Sequence, residues 1–233
     1  MMLLESVVNL VAASVAVWAI SYAARPADDT HGFGHSKAEY FSSGVEGALI
    51  LVAAVSIAIA AWERLSHPQP LEQLGIGLGL TLMATVLNGA LAFKMLQAGK
   101  RLRSITLRAD AHHLLTDVWT SVGVLVGVML VKLTGWLVLD PIIALVVAAN
   151  IVWVGFKLLR ETGTGLLDAA LPEDEQHLIT EIFLPYQAQG IEFHALRTRV
   201  AGTRRFINFH ILVPGEWTVQ QGHDLCEEIR PPA

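Results

Sequence analysis

Five stretches of this chain, at about residues 3–24, 43–62, 74–96, 111–133 and 137–158, are apolar enough to lie in lipid. Each comes close to the roughly 20 residues an α-helix needs to cross the hydrocarbon core of a bilayer. Backbone in lipid must satisfy its own hydrogen bonds, so runs of this length fold as helices. Composition agrees: 53% of the 233 residues are hydrophobic and only 16% charged, a smaller charged share than a water-soluble domain carries. From about residue 172 the pattern changes to the charged, amphipathic "LPEDEQHLITEIFLPYQAQ". The expected organisation is an α-helical polytopic membrane unit of five helices over 1–160 and a separate soluble domain over 172–233.

Orientation follows from the short loops, because Lys and Arg are held on the cytoplasmic side. The loop at 97–108 carries Lys100, Arg101, Arg103 and Arg108, whereas "RLSHPQPLEQ" and "KLTGWLVLD" are poor in basic residues. The loops at 25–42 and 97–108 therefore face the cytoplasm, and by alternation so does the tail. Within the tail, 173–189 has helical periodicity. "EFHALRTRVA" and "RRFINFHILV" alternate as two strands joined by a turn at Ala201, Gly202 and Thr203, and "TVQQGHDLCEEI" reads as a final helix. The order αββα predicts a small α+β sandwich. A net charge of −5, with no basic stripe, excludes nucleic acid as a partner. One cysteine, Cys226, allows neither an intrachain disulfide nor a cysteine-rich zinc site, which leaves His, Asp, Glu and Asn as the metal ligands. No nucleophile is paired with a base in a usable motif, so the chain does not read as an enzyme.

Polar residues inside the apolar runs carry the chemistry, because each ionisable group placed there costs on the order of 2.5–3.5 kcal/mol on insertion scales. In "ADAHHLLTD", His113 and Asp117 are four apart and project from one helical face, an arrangement that suits half of a tetrahedral metal site and equally an internal hydrogen bond near the helix mouth. His112 points about 100° away from His113 and reads as structural; Asp110 sits at the cytoplasmic mouth. In "LLESVVNLVAA", Glu5 and Asn9 repeat the i, i+4 spacing. If the two helices pack, Glu5, Asn9, His113 and Asp117 supply one nitrogen and three oxygens, a mixed set for a first-row divalent ion. Asp28, His31 and His35 lie in a glycine-containing loop able to gather them around a metal, although such loops also serve as plain connectors. His194 and His210 fall on the two proposed strands and His223 on the last helix; strand histidines of this kind are more often structural than ligating.

Taken together, "LLESVVNLVAA", "RPADDTHGFGHSKAEYFSS", "LRADAHHLLTDVWTSVGVLVG", "LDPIIAL" and "LLDAALP" resemble the cation diffusion facilitator family of metal/proton antiporters, in the family's order over nearly the whole chain. The resemblance implies a homodimeric secondary transporter in the lipid bilayer, in a bacterial inner membrane, with a cytoplasmic metallochaperone-like domain. It would export Zn²⁺, or Fe²⁺, Mn²⁺, Co²⁺ or Cd²⁺, in exchange for protons by alternating access. Matched residue by residue, the transport site is Glu5, Asn9, His113 and Asp117, with His113 as the expected proton carrier, and the loop site is Asp28, His31 and His35. A cytoplasmic site matches His194, His210 and His223, and a charge interlock between subunits matches Lys37 and Asp168.

Three departures from the family pattern shape the expectations. Glu5 and Asn9 stand where paired aspartates are usual, which lowers the formal ligand charge from −3 to −2 and removes one proton acceptor. No counterpart of the family's first helix is read ahead of Glu5, so a truncated or misannotated start is expected. The tail stops before the family's last strand, which implies an incomplete cytoplasmic site. A transport-incompetent relative that senses metal or partners another subunit is the alternative expectation.

Overall fold

The computed structural model describes residues 2–67 and 76–229, which form two units, 1–167 and 168–233. The first holds helices α1 (Met2–Ala23), α2 (Ala38–Ser66), α3 (Ile76–Arg101), α4 (Ile105–Thr134) and α5 (Leu139–Leu166). Among the described residues, α2, α4 and α5 are each long and apolar enough to cross a membrane, and α1 adds the apolar segment Leu10–Ala23. At about 1.5 Å per residue, the 26 residues of α3 also exceed a hydrocarbon core about 30 Å thick.

Apolar side chains cover the outside of this unit, and polar ones are buried among its apolar core. Val52, Val55, Ile59 and Trp62 on α2, Trp119, Met129 and Leu133 on α4, and Val146, Trp153 and Phe156 on α5 face outwards. The interior holds Ser42, Ser43, Glu46, Thr106, Thr116 and Thr162. An exposed apolar surface of this extent, on helices long enough to cross a membrane, fits a lipid setting. Burial of apolar surface cannot hold helices together in that setting, and small residues that admit close contact take over. α2 and α5 meet in this way: Gly47 faces Leu159, and Gly155 faces Ile50 and Leu51, so closely that an added Cβ would stand 2.9 Å from a Leu Cδ in each case. Tyr40, Ile50, Ala54, Ile105, Ala109, Ile151 and Leu158 form the packed centre of α2, α4 and α5.

α2 and α4 begin earlier than the apolar runs at 43 and 111 indicate. In both cases the extra turns are polar and are satisfied inside the protein. Ser104 caps α4, its Oγ accepting from Leu107 N–H (3.4 Å) and donating to Glu39 Oε2 (2.6 Å). Thr106 Oγ1 donates to the Glu39 carbonyl at 3.1 Å. At the far end of α4, Gly135 takes the left-handed conformation (φ 74°) that ends the helix.

The second unit contains α6 (Glu173–Gln187), β1 (Glu192–Ala201), β2 (Arg204–Leu212) and α7 (Val219–Ile229), the αββα order expected. The strands pair antiparallel around Gly202. Phe183 of α6 stacks on Phe193 with ring centroids 4.1 Å apart, and Leu171, Ile179, Leu196, Val200 and Phe209 complete the core. A bulge between His194 and Arg197, with Ala195 at φ 53°, breaks the alternation of β1. Because of it Phe193 and Leu196, three apart, both face α6.

Candidate metal sites

The loop between α1 and α2 is folded by its own polar side chains. Asp28 Oδ1 accepts hydrogen bonds from the backbone N–H groups of Thr30 (2.9 Å) and His31 (2.7 Å) and from Thr30 Oγ1 (2.8 Å). The Thr30 hydroxyl, with the His31 N–H next, holds the Asp28 carboxyl down at about 2, so it is ionised throughout the physiological range. This turn brings His31 Nδ1 to 3.4 Å from Oδ1 and leaves Oδ2 to His35 Nε2 at 3.2 Å. His35 is buried, its ring edge-on to Tyr22 of α1 at 4.6 Å and 4.4 Å from the ring of His31. Ligand atoms of Asp28, His31 and His35 all lie within 4.8 Å of one another, and no other trio of His, Cys, Asp or Glu converges so closely among the described residues. One anionic oxygen and two imidazoles at that spacing suit a zinc-like ion, whose ligands sit about 2.0–2.2 Å from the metal.

His113 and Asp117 lie on α4, both partly buried and one turn apart. The Glu5 and Asn9 side chains lie outside the described residues; the backbone of α1 that carries them is helical and packs against both α2 and α4. Facing His113 is a residue that sequence reasoning missed. Glu46, on the third turn of α2 and only 1% exposed, puts Oε2 3.6 Å from His113 Nδ1. A signal for it existed: it is a lone carboxylate inside the apolar run at 43–62, the same anomaly that singles out Glu5.

Two further ion pairs tie helices together. Arg108 of α4 grips Glu161 of α5 in a fork, at 2.6 and 3.0 Å. Arg64 of α2 donates to the buried Asp140 of α5 at 3.0 Å. Of the residues matched to a subunit interlock, Lys37 donates to the Leu166 carbonyl at 3.1 Å within the helical unit. Asp168, in the second unit, accepts from Arg199 at 3.1 Å. In that unit His194 and His210 are direct cross-strand partners on the sheet face opposite Phe193 and Phe209, with rings edge to face at 5.2 Å. His223 is exposed on α7.

The same two-part organisation recurs in known proteins. The model of the cation efflux transmembrane domain matches residues 2–167, and that of the cation efflux protein cytoplasmic domain matches residues 171–231. The chain belongs to the cation efflux family. An uncharacterized transporter of Synechocystis is 60% identical over 226 residues, covering 97% of this chain and 73% of that protein. The cation-efflux pump FieF of Yersinia pestis is 30% identical over 227 residues, covering 97% and 75%. A FieF pump of Yersinia pseudotuberculosis matches to the same extent. The cation diffusion facilitator motifs thus sit in a cation efflux fold: a membrane-embedded helical domain followed by a small cytoplasmic α+β domain.

Proposed function

We propose that this cation efflux protein exports a divalent metal ion in exchange for protons, by alternating access, with Glu5, Asn9, His113 and Asp117 as the transport site. The observation that carries the reading is the polar seam inside the lipid-facing helices, where His113 meets a buried carboxylate and Asp117 follows one turn on. Helices that expose apolar side chains to lipid and enclose imidazole and carboxylates offer a cation ligands it can reach only from within the protein. Binding requires a neutral imidazole and ionised carboxylates, so protons and metal compete for one ligand set, and that competition is the coupling. With one nitrogen and three oxygens, and an amide in place of one carboxylate, the set suits zinc, iron or a related first-row ion without favouring zinc alone.

The Asp28, His31 and His35 cluster is a second cation site on the cytoplasmic side, beside the end of α1 that leads to the transport site. The cytoplasmic domain acts in a homodimer, His194 and His210 being a pair of ligands that further groups complete. Lys37 and Asp168 form the charge interlock between subunits, and the setting is a bacterial plasma membrane. Asp117→Ala, reconstituted beside the wild type, tests the reading. Loss of zinc and iron flux with an unchanged elution profile in detergent is expected; undiminished flux would refute the site.

A further inference from the structure

Buried acids in the helical unit show what a structural role looks like. Glu39, Glu46 and Asp140 are the buried acids among the described residues. Glu39 caps the start of α4 through Ser104, and Asp140 is held by Arg64. Glu46 has neither kind of partner: no hydrogen-bond donor lies within reach of either oxygen among the described residues. Burying a carboxylate without donors costs several kcal/mol, so a residue retained there for packing alone would be better apolar. What Glu46 faces is the imidazole of His113, with Oε2 3.6 Å from Nδ1. That separation is about half an ångström beyond the about 2.7–3.2 Å of a hydrogen bond.

We propose that Glu46 is a positioning residue of the transport site, which accepts the Nδ1–H of His113 and thereby fixes the tautomer whose Nε2 lone pair binds the exported cation. The proposal rests on the reading of His113 as a cation ligand. The two ring nitrogens lie on opposite sides of the imidazole, so a carboxylate at Nδ1 aims Nε2 away from α2. Metal-bound histidines are commonly oriented in this way by a carboxylate on the other nitrogen, and losing it lowers metal affinity about 10–100-fold. The geometry also fits the site's composition. A carboxylate behind the histidine increases its donor strength, in a ligand set that includes the neutral amide of Asn9.

Zinc titration of the full-length protein in detergent tests this, with every variant carrying Asp28→Ala so that the loop cluster does not contribute. Glu46→Leu is expected to weaken zinc binding about 10–100-fold, and Glu46→Gln, which keeps an acceptor oxygen, to weaken it less. His113→Ala should lose at least as much as Glu46→Leu, and the double variant no more than His113→Ala alone. Normal affinity in Glu46→Leu with weakened His113→Ala would overturn the positioning role and leave the transport site standing. Equal damage from Gln and Leu would overturn it in favour of a carboxylate that binds the ion directly. Undiminished affinity in His113→Ala would sink both readings. A second readout needs no variant. In ¹⁵N spectra of the metal-free protein labelled at histidine, His113 should carry its proton on Nδ1, and a proton on Nε2 would overturn the proposal.

Discussion

Replacing Glu39 should loosen the start of the helix that carries His113 and Asp117. Its Oε2 accepts from Ser104 Oγ at 2.6 Å and lies 3.4 Å from the Thr106 N–H, so one buried carboxylate serves both the capping hydroxyl and an open amide of the first turn of α4. A hydrogen bond to a charged acceptor contributes about 1.5–3 kcal/mol, and a negative charge at a helix N-terminus about 0.3–1 kcal/mol. Glu39→Ala should therefore cost roughly 2–4 kcal/mol. Glu39→Gln, which keeps the volume and one acceptor, should cost roughly half as much. The helix should not detach in either variant, because Thr106 Oγ1 bonds to the backbone carbonyl of residue 39, which any substitution retains. Unfolding in mixed micelles gives the total, and hydrogen exchange at the amides of residues 105–107 gives its location. A loss under about 0.5 kcal/mol, the range of an ordinary surface substitution, or unchanged exchange at those amides, would refute the capping argument.

Asp28 should titrate with a midpoint of about 2 in a ¹³C spectrum of its carboxyl, below the 3.8 of an unperturbed aspartate. Its folded value is depressed, so the stabilisation from its hydrogen bonds is fully present above pH 3.8 and is lost as pH falls through about 2. Thr30→Val should move the midpoint upwards, since that hydroxyl is the largest cause; an unmoved midpoint contradicts the assignment. Gly155→Leu should disrupt the α2–α5 pair, because even a Cβ there stands 2.9 Å from Leu51 Cδ2 and 3.1 Å from Ile50 Cγ2. Overpacking of this kind costs about 1–3 kcal/mol, and unchanged stability in detergent would show that the helices are not closely apposed.

Hydropathy revealed the membrane unit and its helix order because insertion in lipid depends on long apolar runs, which are local features of sequence. It misplaced the starts of α2 and α4 because their first turns are polar and are satisfied by each other: Glu39 and Ser104 are 65 residues apart, and no local pattern links them. Alternation placed both strands of the second unit, but not the bulge at Ala195, whose positive φ nothing in "FHALRT" announces. The i, i+4 spacing of His113 and Asp117 was enough to place them one turn apart on α4. Glu46 escaped notice since its meaning depends on α2 lying against α4. The loop histidines were ambiguous in sequence because only the turn built on Asp28 and Thr30 decides that they converge.

The central claim is export of a divalent ion driven by protons. Its most direct test is zinc flux into proteoliposomes of the purified protein, read with a trapped zinc-sensitive dye, with and without an imposed pH gradient. Flux against a zinc gradient should appear only when protons move the opposite way, and should stop when a protonophore collapses the gradient. Zinc and iron that merely equilibrate regardless of the pH gradient, or do not cross at all, would contradict it.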